Sequence, residues 1–278
     1  MTERPRQLLA NQIPHSSPIP DGRLGPGLLG TGLLWIAAAG VLLPAAEVVH
    51  VALSGPVRAH LQTIWQQAEL TRALGNTLLV AITVTGLQLA TASLGGYALA
   101  RLQFRGRQPI LIGVVATLVV PFQVLVVPIF LILKAGHQIN TYGALIWPTA
   151  ASGYSLYLMY QCFRALPTDL EAASTLDGAN RWQTFWYVLL PLTRPTLLAL
   201  FLLTFIGEWN DLFKPLVFTT QPELQTLQLA LASLQQQFTT DWSLQMTAVV
   251  VVTLPVLLLF LLTQRYFVRG IATTGLKE

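Results

Sequence analysis

The chain has 278 residues, of which 53% are hydrophobic and only 10% charged, where a soluble domain carries roughly 25% charged residues. With a mean hydropathy of +0.58, this balance excludes an ordinary soluble fold and points to a membrane protein. The net charge of +4 would suit a nucleic-acid partner only if the cations formed a patch, and their positions mark membrane orientation instead.

Residues 1–27 form a tail rich in Pro, Gly and Ser, too poor in apolar residues to fold alone, and are expected to be disordered. Arg4 and Arg6 are followed by the polar stretch NQIPHSSPIPDGRLGPG rather than a short apolar region, so no cleavable signal peptide is expected and the first span serves as its own signal. A span needs about 20 mostly apolar residues, and its backbone groups must be paired within the segment, which selects helices. Six runs qualify, at about 28–50, 75–100, 109–133, 142–163, 195–217 and 245–267. The expectation is an all-α polytopic membrane protein: one six-helix domain over residues 28–270, then a short tail at 271–278. No internal repeat is evident, so nothing suggests the inverted halves of a secondary transporter.

With the N-terminus inside, the inner segments hold Arg4, Arg6, Arg23, Arg101, Arg105, Arg107, Arg164, Arg181, Arg194, Arg265, Arg269 and Lys277. The outer ones hold Arg58, Arg72, Lys134 and Lys214. Twelve cations against four is a strong positive-inside bias. Both termini are therefore expected in the cytoplasm.

In the first span, Glu47 falls at the outer end, where water reaches it. Asn76 stands at the opening of the second span with the character of a helix N-cap. The third carries Pro121 and Pro128 in VVPFQVLVVPIF. Each removes an N–H donor, so two kinks or a locally opened helix are expected, either as lipid-facing bends or as a wall of a translocation path. The fourth contains Cys162, the single cysteine, which excludes intramolecular disulfides and a cysteine-based metal site and reads as a packing residue. His15, His50, His60 and His137 show no ligand spacing, so no metal site is expected.

Between the fourth and fifth spans runs LPTDLEAASTLDGANRWQTFWYVLLPL, from Leu166 to Leu192. Pro167 suits a first helical turn, a helix from about Thr168 to Leu176 follows, and Asp177-Gly178 ends it with a positive φ at the glycine. Asn180 and Gln183 then have capping-box spacing and start a second helix through Trp182, Phe185, Trp186 and Leu189, stopped by Pro191. The orientation above places this pair of helices on the cytoplasmic face. Aromatic anchoring at the interface would explain the second arm alone. A stop, a turn and a cap are more than a connector needs, and the small residues Ala172, Ala173 and Ser174 would let a helix lie close in a partner's groove.

This loop resembles the EAA motif of ABC-importer permeases, in the form found in sugar permeases of the maltose type. RALGNTLLVAITVTGLQLATASLGGYALARLQFRGR (72–107), VVPFQVLVVPIFLIL and FIGEWNDLFKPLVF (205–218) are similar to segments of those permeases in the same order. The resemblance covers about residues 70–270 and implies a loop, 165–191, that receives force from a separate ATPase through Pro167, Glu171, Ala172, Ala173, Ser174, Asp177, Gly178, Ala179, Trp182 and Pro191. One departure stands out. The register from Pro167 to Gly178 and Pro191 puts Ala172 where the family glutamate lies, so the literal EAA comes one residue early. Glu171 then either reaches the ATPase from about 100° around the helix, or the usual contact is weakened.

The fifth span carries Glu208, Trp209, Asn210 and Asp211. Ionisable residues inside a span are functional candidates because burying charge there is costly. Either they lie near the outer interface, with Lys214 a surface partner of Asp211, or they face a water-lined cavity, which the 13 residues from Pro195 to Glu208 favour. The resemblance places this segment, with Pro121 and Pro128, beside the translocation path, where Trp209 could stack on a sugar ring.

No H-E-x-x-H, phosphate-binding G-x-x-x-x-G-K-[ST] or Ser-His-Asp set occurs, so no catalytic role and no bound cofactor are expected, and any ATP-Mg belongs on a different polypeptide. What the resemblance implies is one permease subunit of a sugar or oligosaccharide importer in a prokaryotic inner or plasma membrane. Its expected partners are a second permease, an ATPase dimer and an extracytoplasmic solute-binding protein. The rivals are a permease of the same architecture for amino acids, phosphate or polyamines, an ion-coupled secondary transporter needing facing ionisable residues at midplane, and, more remotely, an intramembrane enzyme.

Overall fold

The computed structural model describes residues 28–67 and 69–274. The expected disorder of 1–27, and residues 275–278 of the expected C-terminal tail, lie outside them. Among the described residues every regular element is helical, so the all-α expectation holds.

The chain divides between Glu47 and Val48 into two compact units. The first carries most of α1 (Leu28–Leu53), an apolar helix that accommodates Pro44. The second continues with α2 (Val57–Gln67), α3 (Leu70–Arg101), α4 (Arg107–Thr117), α5 (Phe122–Ala135), α6 (Tyr142–Ile146) and α7 (Gly153–Ala165). After these come α8 (Asp169–Leu176), α9 (Arg181–Gln183), α10 (Leu190–Leu192), α11 (Arg194–Trp209), α12 (Phe213–Phe218), α13 (Leu227–Gln237) and α14 (Trp242–Thr274).

Each of the six predicted spans falls on helix, but not on six uninterrupted ones. Among the described residues, α1, α3 and α14 are long and apolar enough to cross a bilayer alone, and two bent pairs raise the number to five at most. The third predicted span breaks between α4 and α5 with a 106° bend. Pro121 sits at the break, in extended conformation before α5, while Pro128 is accommodated inside α5. Only one of the two expected kinks is therefore a rupture. The fourth span is split: α7, with 13 residues, rises about 20 Å, short of the roughly 30 Å of hydrocarbon. The fifth stops at Trp209, and the chain restarts at α12.

The spine of the second unit is α3, which packs on α7 and α11, with α14 against α11 and α2. Its first half enters an apolar cluster with Phe205, Trp209 and Leu244, and its second half enters another with Met159, Phe163, Phe185, Leu189 and Leu200. Close approach at the α3–α7 crossing depends on Gly96, where an added Cβ would lie 2.7 Å from Met159 Cβ and 2.8 Å from the Tyr160 nitrogen. Small residues are how membrane helices bring their backbones together.

Polar residues tie the spine to distant segments. Asn76, expected as an N-cap, is instead buried inside α3, which starts at Leu70. Its Nδ2 donates to the carbonyls of Glu223 (2.8 Å) and Gln225 (2.9 Å), and its Oδ1 accepts from the Tyr142 hydroxyl (2.6 Å). Burial demanded partners, and three remote groups supply them. Gln88 does the same further along, donating to the Thr149 carbonyl (2.7 Å) and accepting from Ser155 Oγ (2.9 Å).

Candidate functional site

The loop over 166–192 is closed by its own backbone. α8 begins at Asp169 after Thr168, so Pro167 lies just before the helix rather than in its first turn. At the far end Ala179 N donates to Ser174 O (2.9 Å) and Gly178 N to Thr175 O (3.0 Å), with Gly178 at φ 81°. That is the double closure of a Schellman turn, and only glycine adopts its φ without cost. Asn180 and Gln183 form the reciprocal box foreseen from their spacing, at 2.9 and 2.8 Å.

The second arm departs from expectation. Pro191 does not stop the helix, which runs on through Leu192 before a 73° bend into α11. The turns at Thr184–Leu189 are widened to π form. A proline cannot donate to the carbonyl four residues back, and a widened turn just ahead of it absorbs that missing bond without ending the helix. The arm is anchored by burial: Phe185 and Leu189 are inaccessible, and Phe185 packs against Tyr97 with ring centroids 4.9 Å apart and against Phe163 at 6.1 Å.

The two arms meet at Ser174. Its hydroxyl bonds Thr184 Oγ1 (2.9 Å) and donates to the Glu171 carbonyl (2.9 Å). Ser174 is thus buried between the arms and corrects the expectation that it forms part of a small-residue docking face. The face left open has Ala172, Ala173, Asp177 and Gly178, and beside them Leu176, 89% exposed. Sequence reasoning did not single out Leu176, although an apolar residue just before an Asp-Gly turn on a solvated helix was a usable signal. Trp182 is exposed and meets Phe185 edge to face. Glu171 turns the other way: its Oε1 lies 3.7 Å from Nε of Arg101 at the end of α3, and Arg101 is itself fixed by donating to the carbonyls of Phe163 and Leu166.

The second cluster surrounds Lys214, which is only 3% exposed, so of the two alternatives the outer-surface position does not hold and the cavity does. Its Nζ lies 2.5 Å from Glu208 Oε2, 3.4 Å from Asp211 Oδ2 and 2.7 Å from Thr149 Oγ1. Asp211 Oδ1 also accepts from the backbone of Phe213 (2.9 Å) and Lys214 (3.3 Å), starting α12. One buried cation facing two carboxylates leaves a formal charge of −1. A cavity of about 410 Å³ opens on the cluster, lined by Phe122, Thr149, Gly207, Glu208, Asn210, Asp211, Leu212, Phe213 and Lys214. The break at Pro121 is what brings Phe122 there, edge-on to Phe213. Pro128 is not among the lining residues.

Trp209 is the clearest correction. It is 1% exposed, stacked on Phe205 with centroids 5.7 Å apart, and its Nε1 donates to the Val252 carbonyl (3.2 Å). Helix periodicity turns it about 100° from Glu208, so it packs toward α14 and has no free face for a sugar. Asn210 is exposed and bonds Gln228 Nε2 at 3.1 Å.

Residues 92–273 match the family described as binding-protein-dependent transport system inner membrane components. The chain is 30% identical over 211 residues to the lactose transport system permease protein LacG of Rhizobium radiobacter, covering 76% of this chain and 77% of that protein. It is 34% identical over 207 residues to the trehalose/maltose transport system permease protein MalG of Thermococcus litoralis, covering 73% and 74%. In fold it resembles a chain of a bacterial ABC transporter involved in import of the acidic polysaccharide alginate, with a TM-score of 0.74 and 21% identity, over 87% of this chain and 96% of that one.

Proposed function

The chain belongs to the binding-protein-dependent transport system inner membrane components, and from that premise we propose that it is a permease subunit of an ATP-driven importer for a sugar or oligosaccharide. Such a subunit works with an ATPase and a solute-binding protein; it transports rather than catalyses. The lactose and trehalose/maltose transport permeases among its relatives support a saccharide as the solute class.

Six membrane crossings, with the bent α4–α5 pair and the split fourth and fifth segments each counted once, place both termini inside, in keeping with the twelve inner cations. A second permease completes the path. ATP-Mg binds the ATPase dimer, and this chain holds no cofactor. The loop 165–191 is the coupling element. ATP binding closes the ATPase, the exposed face of α8 moves with it, and the second arm, anchored through Phe185 and Leu189, transmits that displacement to α11, which carries Glu208 and the charged cavity beside the path. Transmission of this kind needs a stiff element with two positions.

One observation carries the reading: α8 is closed at its C-terminal end by the turn at Gly178 and joined by Ser174 to an arm whose Phe185 and Leu189 sit in the subunit core, while Ala172, Ala173 and Leu176 stay open. Glu171, engaged with Arg101, points to a docking face built on small and apolar contact rather than on an acidic anchor. The test is disulfide trapping between Ala173→Cys and cysteines in the cognate ATPase, in assemblies that take up sugar on ATP alone. Cross-links that form and block uptake are expected. Uptake that runs on an ion gradient without ATP would instead favour a secondary transporter.

A further inference from the structure

Two cavities meet where α4 and α7 lie together. One, of about 640 Å³, is lined by Arg107, Arg164 and Tyr160 with Gln103 and Gln108, and no carboxylate lines it. The other, of about 280 Å³, is an apolar groove along Leu111, Ile112 and Val115. Leu111, Tyr160 and Arg164 line both, so the basic chamber adjoins the groove.

The two guanidiniums are placed but unneutralised. Arg164 Nη1 donates to the Tyr160 hydroxyl (3.1 Å), and Arg107 Nη2 donates to the Ala100 carbonyl (3.2 Å). Among the described residues neither forms an ion pair. Each guanidinium offers five N–H donors, so most remain for an acceptor, and Tyr160, 4% exposed, gives Arg164 a fixed support. Two cations facing one chamber repel unless an anion sits between them, and a phosphate takes such forks bidentately. The groove narrows the choice. Ile112 is 64% and Val115 40% exposed, a surface that a free phosphate would leave uncovered and a hydrocarbon chain would cover.

We propose that this chamber and groove bind an anionic phospholipid, with its phosphate between Arg107 and Arg164 and an acyl chain along Leu111, Ile112 and Val115. Basic pockets between membrane helices hold acidic headgroups in this way. Assigning the lipid to the cytoplasmic leaflet rests on the orientation proposed above; its binding does not.

The experiment is native mass spectrometry of the full importer assembly after incubation with phosphatidylglycerol or phosphatidylcholine. The wild type is expected to retain the anionic lipid preferentially. Arg107→Gln with Arg164→Gln should weaken retention by about fivefold for each charge removed, whereas Lys134→Gln should not. Val115→Glu, which keeps both guanidiniums, should also expel the lipid, and melting in lipid-free detergent separates this from misfolding. Equal retention of both lipids, or unchanged retention in the double variant, overturns the proposal. So does displacement by millimolar inorganic phosphate as efficient as by lipid, which would make this a phosphate site. If the double variant falls out of the assembly with lipid retention intact, the arginines serve another subunit's carboxylates and the proposal fails equally. Failure in any of these ways leaves the transport reading standing, because ATP-driven uptake tests that independently.

Discussion

Between residues 166 and 192 the chain is held by short-range closures of its own backbone; between 208 and 214 it is held by buried charge. The loop uses a Schellman turn, a capping box and one hydroxyl pair, all between residues close in sequence. Each such device contributes about 1 kcal/mol, and because each is satisfied internally, the outer face of α8 owes nothing to the rest of the protein. The Lys214 cluster gathers Thr149 from 65 residues away, and its members depend on one another for every charge. One region is built to be gripped from outside, the other to keep a cavity's charge in place, and α11 joins them.

Substitutions in the two regions should therefore fail in different ways. Lys214→Ala strands two carboxylates and should cost about 3–5 kcal/mol, read as denaturant unfolding in detergent, with Glu208→Gln added to Lys214→Met restoring most of the loss. A cost below about 1 kcal/mol would mean that the cluster is hydrated and the contrast false. Gly96→Val forces α3 from α7 and should cost about 1–3 kcal/mol, and a variant as stable as wild type would show that this crossing is loose. Asn180→Ala, which removes the cap, should cost about 1 kcal/mol, and Gly178→Ala about the same for its left-handed φ; both should lower ATP-driven uptake more than they lower stability. Leu176→Asp should change stability by no more than about 0.5 kcal/mol yet abolish coupling, measured as ATPase activity without uptake. If uptake persists alongside the ATPase activity, the open face of α8 is not where force enters.

What could be read in the sequence divides along the same line. The turn at Gly178 and the reciprocal pairing of Asn180 with Gln183 were visible because their partners lie within a few residues. The all-helical class was visible because apolar run length alone selects it. Asn76 was misread because its partners Glu223 and Gln225 lie 147 and 149 residues away. Lys214 had the look of an outer cation for the same reason, and Trp209 that of a ligand-facing aromatic, since nothing local reveals which side of α11 meets α14. Ser174 was placed on the wrong face because the hydroxyl that claims it, Thr184 Oγ1, belongs to the other arm. Glu171 could be numbered against the family motif but not oriented, since Arg101 lies in another helix.

The widened turns at Thr184–Leu189 have a geometric corollary. A π segment amounts to one surplus residue relative to an α-helix. Excising one residue there would let the arm wind as plain α-helix with its two ends still in register, whereas the same deletion in an ordinary α turn would rotate what lies beyond it by about 100° and draw it in by about 1.5 Å. The compass bearing of Ala173 is thus buffered at these turns alone: a one-residue deletion within Thr184–Leu189 should leave it nearly unchanged, and one elsewhere in the arm would re-aim it.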